Sequence, residues 1–248
     1  MPDHRAADGG GTSAGRGRPS PSRAVEDYLK AIWKLQEERR PVPTNALAAE
    51  LGRSAASVTG MIKALAGRGL VHHAPYRGVE LSKAGERTAL RIIRRHRVIE
   101  TYLIERLAYT WDGVHAEAER LEHAASEDLV ERMARALGDP RTDPHGAPIP
   151  GPDGSMDRPE HRRLSELDDG AAGVIREVED ESPERLRILG SSGFLLGERV
   201  RVEGRERGGD LRVEVGGRRR RLAPALAEAV LVEADAPGRP GSASEERK

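Results

Sequence analysis

Six potential metal ligands lie between His96 and His123, and their spacing only makes sense on helices. His96 and Glu100 are four residues apart and share one helix face. His115, Glu119, Glu122 and His123 recur at offsets of four, seven and eight and share another. For the two groups to act together, two helices must pack antiparallel and face a common space. The middle of the chain is therefore committed to helix. Glu and His on an amphipathic helix often form only a solvated face, but six at matched spacing are harder to explain that way. Imidazole and carboxylate donors suit manganese, iron(II), cobalt or zinc and disfavour Cu(I). With no cysteine in 248 residues, disulfides and thiolate sites are excluded.

Charge is distributed unevenly. Ten Lys/Arg against two acids between Arg53 and Arg97 give a local balance of +8, and ten acids against four Arg between Glu100 and Asp139 give −6. A basic segment followed by an acidic one is what a polyanion-binding unit joined to a cation-binding unit would carry. One Phe and two Trp are thin core material for this length, so part of the chain, residues 1–21 and 236–248 above all, is expected to be disordered. No window is apolar for long enough to span a membrane, and the first residues lack the apolar run of a signal peptide. A cytoplasmic location is the default expectation.

Taken in order, the chain punctuates itself. Ser22 is the expected N-cap of a first helix with Val25, Leu29, Ile32, Trp33 and Leu35 on its apolar face. After Pro41 and Pro43, Thr44 is expected to cap a short second helix, Asn45 to Leu51, which Gly52 ends. Ser54 caps a third through about Ala66. Leu70–His73 and Val79–Leu81 then read as a hairpin around Pro75–Gly78. Helix, short helix, turn, helix and β-wing is the order of a winged helix-turn-helix. Ser82 caps a helix to about Leu107, Trp111–Gly113 breaks it, and a single further helix is expected from about Val114 to Leu137, stopped by Gly138 and Pro140. A Pro/Gly-rich linker follows. Period-2 runs at Val200–Val202, Leu211–Val215 and Val230–Val232, with Gly216–Gly217 as a hairpin turn, predict a small β-barrel from about residue 164 to 233.

Several of these stretches resemble the metal-dependent repressors of the diphtheria toxin repressor family, in particular its manganese-responsive branch. They are Glu26–Ile32, Ser57–Leu65, the wing Tyr76–Leu81, Arg95–Arg97, Glu119–His123 and Asp143–Pro150. The resemblance is strong over residues 22–150 and weaker beyond, where the family carries an SH3-like domain. It implies a mainly α protein: disordered tail 1–21, winged helix DNA-binding domain 22–82, helical metal-binding and dimerisation domain 83–138, Pro/Gly-rich linker 139–163, SH3-like domain 164–235 and tail 236–248.

Two metal positions follow from the resemblance. The regulatory site would take Asp27, Glu119, Glu122 and His123. The ancillary site would take His96, Glu100 and His115, completed by Glu177 and Asp180. The iron-responsive branch usually has Met and Cys where this chain has Asp27 and Glu119. Harder donors favour Mn²⁺, with Fe²⁺ the alternative and Co²⁺, Zn²⁺ or Cd²⁺ as substitutes in vitro. In manganese-responsive members without an SH3-like domain another carboxylate often follows Asp27 by three; here that position is Lys30, which argues against a binuclear site of that type. His72, His73, His145 and His161 have no helical partner at ligand spacing and read as wing or loop residues.

The implied partner is double-stranded palindromic operator DNA bound by a homodimer, with two dimers per operator left open, and neither a membrane nor a small organic substrate is expected. Ser54, Ala56, Ser57, Thr59, Gly60, Lys63 and Arg68 of the third helix and Arg77 of the wing are the expected DNA contacts, Ser57 and Thr59 donating to phosphates. Two rival readings remain: a metalloenzyme, for which no HExxH motif or nucleophile is present, and a winged-helix regulator with a non-metal effector.

Overall fold

The computed structural model describes residues 21–74, 77–179 and 182–235. Both tails expected to be disordered, from residue 236 and up to residue 20, lie outside the described residues, as do Pro75, Tyr76 and Asp180. Helix α1 (Arg23–Glu38) buries Val25, Tyr28, Leu29, Ile32 and Trp33, the face the periodicity predicts. Ser22 holds the N-cap position with extended backbone, but its hydroxyl makes no capping bond. In α2 (Thr44–Glu50) the cap is Pro43, and Thr44 is already helical. Ser54 does cap α3 (Ala55–Gly67), its Oγ accepting from the Ser57 amide at 3.3 Å.

Strands β1 (Val71–Ala74) and β2 (Gly78–Leu81) pair antiparallel as the wing. Gly78 is required there. Its φ is +117°, and a Cβ would lie 2.4 Å from the Val42 carbonyl oxygen. That close approach lets Val42 and Val79 exchange two backbone hydrogen bonds of 2.9 and 3.0 Å, tying the wing to the α1–α2 connection. These elements share one apolar core with the start of the long helix α4 (Lys83–Leu107). Helix α4 ends on Ala108 in the left-handed conformation.

The single helix expected over 114–137 is two: α5 (Val114–Leu121) and α6 (Glu127–Ala136). Ser126 caps the second, its Oγ accepting from the Leu129 amide at 3.2 Å, with Glu127 and Asp128 in the first turn beside the positive end of the helix dipole. A good local cap outcompetes helix continuation through Ala124–Ala125. The break leaves Glu122 and His123 at the end of α5.

The Pro/Gly-rich stretch lies against α4. Arg94 Nη1 donates to the Pro150 carbonyl at 2.9 Å and Arg97 Nη1 to that of Pro148. Gly146, at φ +92°, would put a Cβ 2.0 Å from the Arg176 carbonyl oxygen, and the Val178 amide donates to His145 O at 2.8 Å. The loop is thereby stitched to the C-terminal sheet.

That sheet has six antiparallel strands in the order β3-β8-β4-β5-β6-β7: β3 (Arg162–Arg163), β4 (Ala172–Val178), β5 (Arg199–Arg205), β6 (Leu211–Val215), β7 (Arg218–Leu222) and β8 (Val230–Ala234). Strand β6 alternates buried and exposed residues as its period-2 pattern requires. Gly216 and Gly217, at φ +55° and +70°, turn it into β7. Two short helices were not anticipated, α7 (Pro183–Ser191) and α8 (Pro224–Ala229). Both begin with Pro at N1, a start signal that runs this short left ambiguous. Phe194 is fully buried in this second core. Among the described residues, no helix is long and apolar enough to cross a membrane.

Candidate metal centre

Helix α1 packs on α4, and α4 on α5, so three elements bring their polar residues to one place. Asp27 from α1 meets Glu122 and His123 at the end of α5, with one ligand atom from each within 4.8 Å of the others. His123 Nδ1 lies 2.7 Å from Glu26 Oε2. A proton on Nδ1 satisfies that contact and leaves the Nε2 lone pair free. Nε2 is buried without a hydrogen bond of acceptable geometry, although Asp27 Oδ1 is only 3.0 Å away. Two donor atoms converge there without bonding each other, as ligands of a shared cation do. Burial pushes the Asp27 carboxyl above its ordinary range, only partly offset by the charges of His123 and Arg23. The donor set and the orphaned nitrogen fit a divalent metal.

Glu119, expected with this trio, is placed elsewhere. It is paired with Lys30 Nζ and is grouped with His96 and His115, 4.0 and 3.9 Å from their nearest ring nitrogens. It stands on the same face of α5 as Glu122 and His123 but one turn earlier, level with the histidines and with the Lys30 ammonium rather than with Asp27. Burial alone would raise Glu119, but the Lys30 charge and hydrogen bond hold it below the usual carboxylate range.

Glu122 is fully buried and joins the two groups. One oxygen is 2.5 Å from His96 Nδ1 and the other 3.4 Å from His123 Nε2. On the far side of the His96 ring, Nε2 is 3.0 Å from Glu100 Oε1, which is also 3.1 Å from His115 Nδ1. Burial and the Lys30 charge would lower His96, yet the hydrogen bonds its ring N–H groups donate to Glu100 and Glu122, with the Glu100 charge, together outweigh them and raise it to about 9. Glu100, despite burial that would raise it, is held far below its ordinary value by His115 and His96.

Three further residues escaped the sequence reading. His145, read as a loop residue, is buried and forms a group with Glu100 and Asp143. Its Nε2 is 2.9 Å from the Trp111 carbonyl, and Asp143 Oδ1 accepts from the His145 and Ala147 amides. No helical spacing links positions 100 and 143–145, so only the fold of the loop could reveal them. Glu26, read as a first-turn acid, faces His123 from the buried side of α1.

Glu177, on β4, is in none of these groups. It lines the same cavity of about 650 Å³ as Glu100, His115 and Asp143. Burial, then the Glu179 charge, pushes its carboxyl up to about 7. A folded-state value above the unfolded one means the fold holds the proton more tightly, so a cost accrues as pH rises from about 4.5 to 7. In metal-free protein, Glu177→Gln is expected to add about 1–2 kcal/mol of stability at pH 8, or a few degrees of Tm, and almost nothing at pH 5. Equal melting shifts at both pH values would show that Glu177 ionises normally.

The residues expected to read DNA lie at the surface. Ser54, Ala56, Ser57, Gly60, Lys63, Arg68 and Arg77 are exposed, and Thr59 is partly so. Thr59 differs from expectation: its hydroxyl donates to the Ala55 carbonyl at 2.8 Å, inside the helix, rather than outward. Gly60 has open space where a Cβ would stand.

Residues 22–79 match the model of the iron dependent repressor N-terminal DNA binding domain. Residues 82–151 match that family's metal binding and dimerisation domain, and residues 162–234 match the FeoA domain, an SH3-like fold. The iron-dependent repressor IdeR of Mycobacterium tuberculosis H37Rv is 33% identical over 221 residues, covering 84% of this chain and 96% of the relative. The diphtheria toxin repressor of Corynebacterium efficiens is 32% identical over 189 residues, covering 72% and 82%. A solved manganese-dependent transcriptional repressor in complex with manganese superposes with TM-score 0.80 at 42% identity, covering 84% of this chain and 98% of that one. ScaR with bound Cd²⁺ gives TM-score 0.74 at 30% identity, covering 84% and 98%. With a DNA-binding domain, a metal-binding and dimerisation domain and an SH3-like domain matched in order, the chain belongs to the iron-dependent (diphtheria toxin) repressor family of metal-dependent transcriptional repressors.

Proposed function

We propose that this repressor senses Mn²⁺ and controls genes of metal homeostasis. The observation that carries the reading is the convergence of Asp27, Glu122 and His123 with the unbonded His123 Nε2 between them. Every donor is carboxylate or imidazole, which suits a hard ion; sulfur donors would favour softer ones. The 42% identity to a manganese-dependent repressor, against 33% to IdeR, points the same way. Iron(II) remains the alternative, because the Irving–Williams order lets it bind the same ligands at least as tightly.

Asp27 lies on α1, part of the core that carries α3 and the wing, whereas Glu122 and His123 lie at the end of α5. A bound divalent cation would supply the charge that lets Asp27 and Glu122 share this space. Asp27 then ties the DNA-reading unit to the dimer scaffold. In a dimer so tied, two α3 helices are held about one DNA turn (~34 Å) apart, the spacing of a palindromic operator. Metal and operator favour one conformation, so each raises affinity for the other by the same factor, typically about 5–150-fold.

Fluorescence polarisation of metal-stripped protein on its own promoter DNA tests this, with Mn²⁺ or anaerobic Fe²⁺ as titrant. Binding is expected to tighten within that range at micromolar Mn²⁺, and Asp27→Ala to remove the response. Tightening by Fe²⁺ alone would establish the iron reading. Equal affinity with and without either metal would end both. The mass of the saturated complex distinguishes one dimer per operator from two.

A further inference from the structure

Helix α1 carries a polar side chain on its apolar stripe. Val25, Leu29 and Ile32 follow one another at spacings of four and three, and the next place on that stripe is Gln36. It is buried, with 7% exposure. A buried amide is tolerated only when it is hydrogen-bonded, and the partner here is the wing. Gln36 Oε1 accepts from the Leu81 amide of β2 at 2.7 Å. Its main-chain carbonyl accepts from Arg40 Nε at 3.2 Å, just past the end of the helix.

The Leu81 amide lies on the outer edge of the wing. In an antiparallel pair, successive residues turn their N–H and C=O first toward the partner strand and then away from it. Val79 exchanges two bonds with Val42, so it faces away from β1, and Leu81, two residues on, faces away with it. One edge of β2 is therefore closed at Val79 by the α1–α2 connection and at Leu81 by the side chain of Gln36.

We infer that Gln36 is a positioning residue for operator binding, fixing the wing, and Arg77 with it, to helix α1. Arg77 is exposed and immediately precedes β2, so a shift of that strand moves its guanidinium. The Val42 bonds tie the strand to a connecting segment that can move with it. The Gln36 bond ties it to a 16-residue helix held straight by its own ladder. Asp27 stands nine residues earlier on α1, about two and a half turns, and so on the opposite side of the helix. On the metal-sensing reading, α1 is then the rigid piece between the ion and the wing.

The test uses the full-length protein, Mn²⁺ and its own promoter DNA. Gln36→Leu keeps the side chain apolar and of similar size but leaves the Leu81 amide without its acceptor. Operator binding at saturating Mn²⁺ is expected to weaken about tenfold, the loss of one well-placed contact, while Mn²⁺ bound per protomer stays as in wild type. Gln36→Glu keeps an acceptor oxygen at the same reach and should restore affinity to within about twofold. A general loss of stability would also lower affinity, so a double-mutant cycle with Arg77→Ala separates the two. Arg77→Ala alone is expected to cost about tenfold, and little once Gln36→Leu is present, because a misplaced wing has no contact left to lose. Gln36→Asn, one methylene shorter, covers a Gln36→Leu that does not fold and should show the same coupling. Additive losses would overturn the inference. So would unchanged affinity in the Leu and Asn variants, or an Arg77→Ala protein that binds like wild type. A wild type that binds its operator equally with and without metal would instead sink the sensing proposal, and the same cycle run without metal would still decide the role of Gln36.

Discussion

Glu122→Ala is expected to abolish the metal-induced rise in melting temperature and with it the metal dependence of operator binding. Glu122 is 0% exposed and touches His96, His123 and Lys30 together. Alanine removes a proposed ligand and also leaves Lys30 and His96 short of a buried counter-charge. Breaking one side of a buried ion pair costs about 3–5 kcal/mol. Because Glu119 and Glu100 still offset part of the charge, the low end of that range is expected here, on the order of 10 °C in Tm. The conservative Glu122→Gln keeps the shape and two hydrogen-bonding atoms, so it should recover part of the stability but not the metal response. A Glu122→Ala protein that still gains stability from Mn²⁺ would remove this residue from the site.

Phe194→Ala is expected to cost a comparable amount, about 3–5 kcal/mol, for a different reason. The chain has a single Phe, and it is fully buried among Leu164, Leu167, Ile175, Leu186 and Leu189. Trp111 packs against this core but is held by its indole hydrogen bond to the Pro144 carbonyl at 3.0 Å, so most of the cavity would persist. The core of α1–α3 and the wing is a separate cluster, so the loss should fall on the C-terminal unit. Calorimetry should then split into an early transition for residues of that unit and a later one for the rest. A single transition within about a degree of wild type would mean that the site collapses around the smaller residue.

Much of the fold was legible because its signals are local. Ser54 and Ser82 each cap a helix through the side chain, as expected, and caps are written within three residues. The Gly216–Gly217 turn and the alternation of β6 are equally local. The two short helices α7 and α8 and the break between α5 and α6 were harder, because a start signal followed by few residues competes with other local choices. At Ser126 the cap and the first-turn acids won over the helix propensity of the alanines.

The ligand centre divides along the same line. Helical spacing by itself determined that His96 shares a face with Glu100, and His115 with Glu119, and it named the chemistry of the donors. It could not determine what stands across from each face. The tertiary structure decided that Lys30 sits between Glu119, Glu122 and His96, that Glu26 meets His123 from the buried side of α1, and that the Asp143–His145 loop closes on Glu100. Those contacts join α1, α4, α5 and a loop far apart in the chain. They depend on how helices pack and on where the loop is stitched to β4, and periodicity within one element carries no information about its neighbour across space.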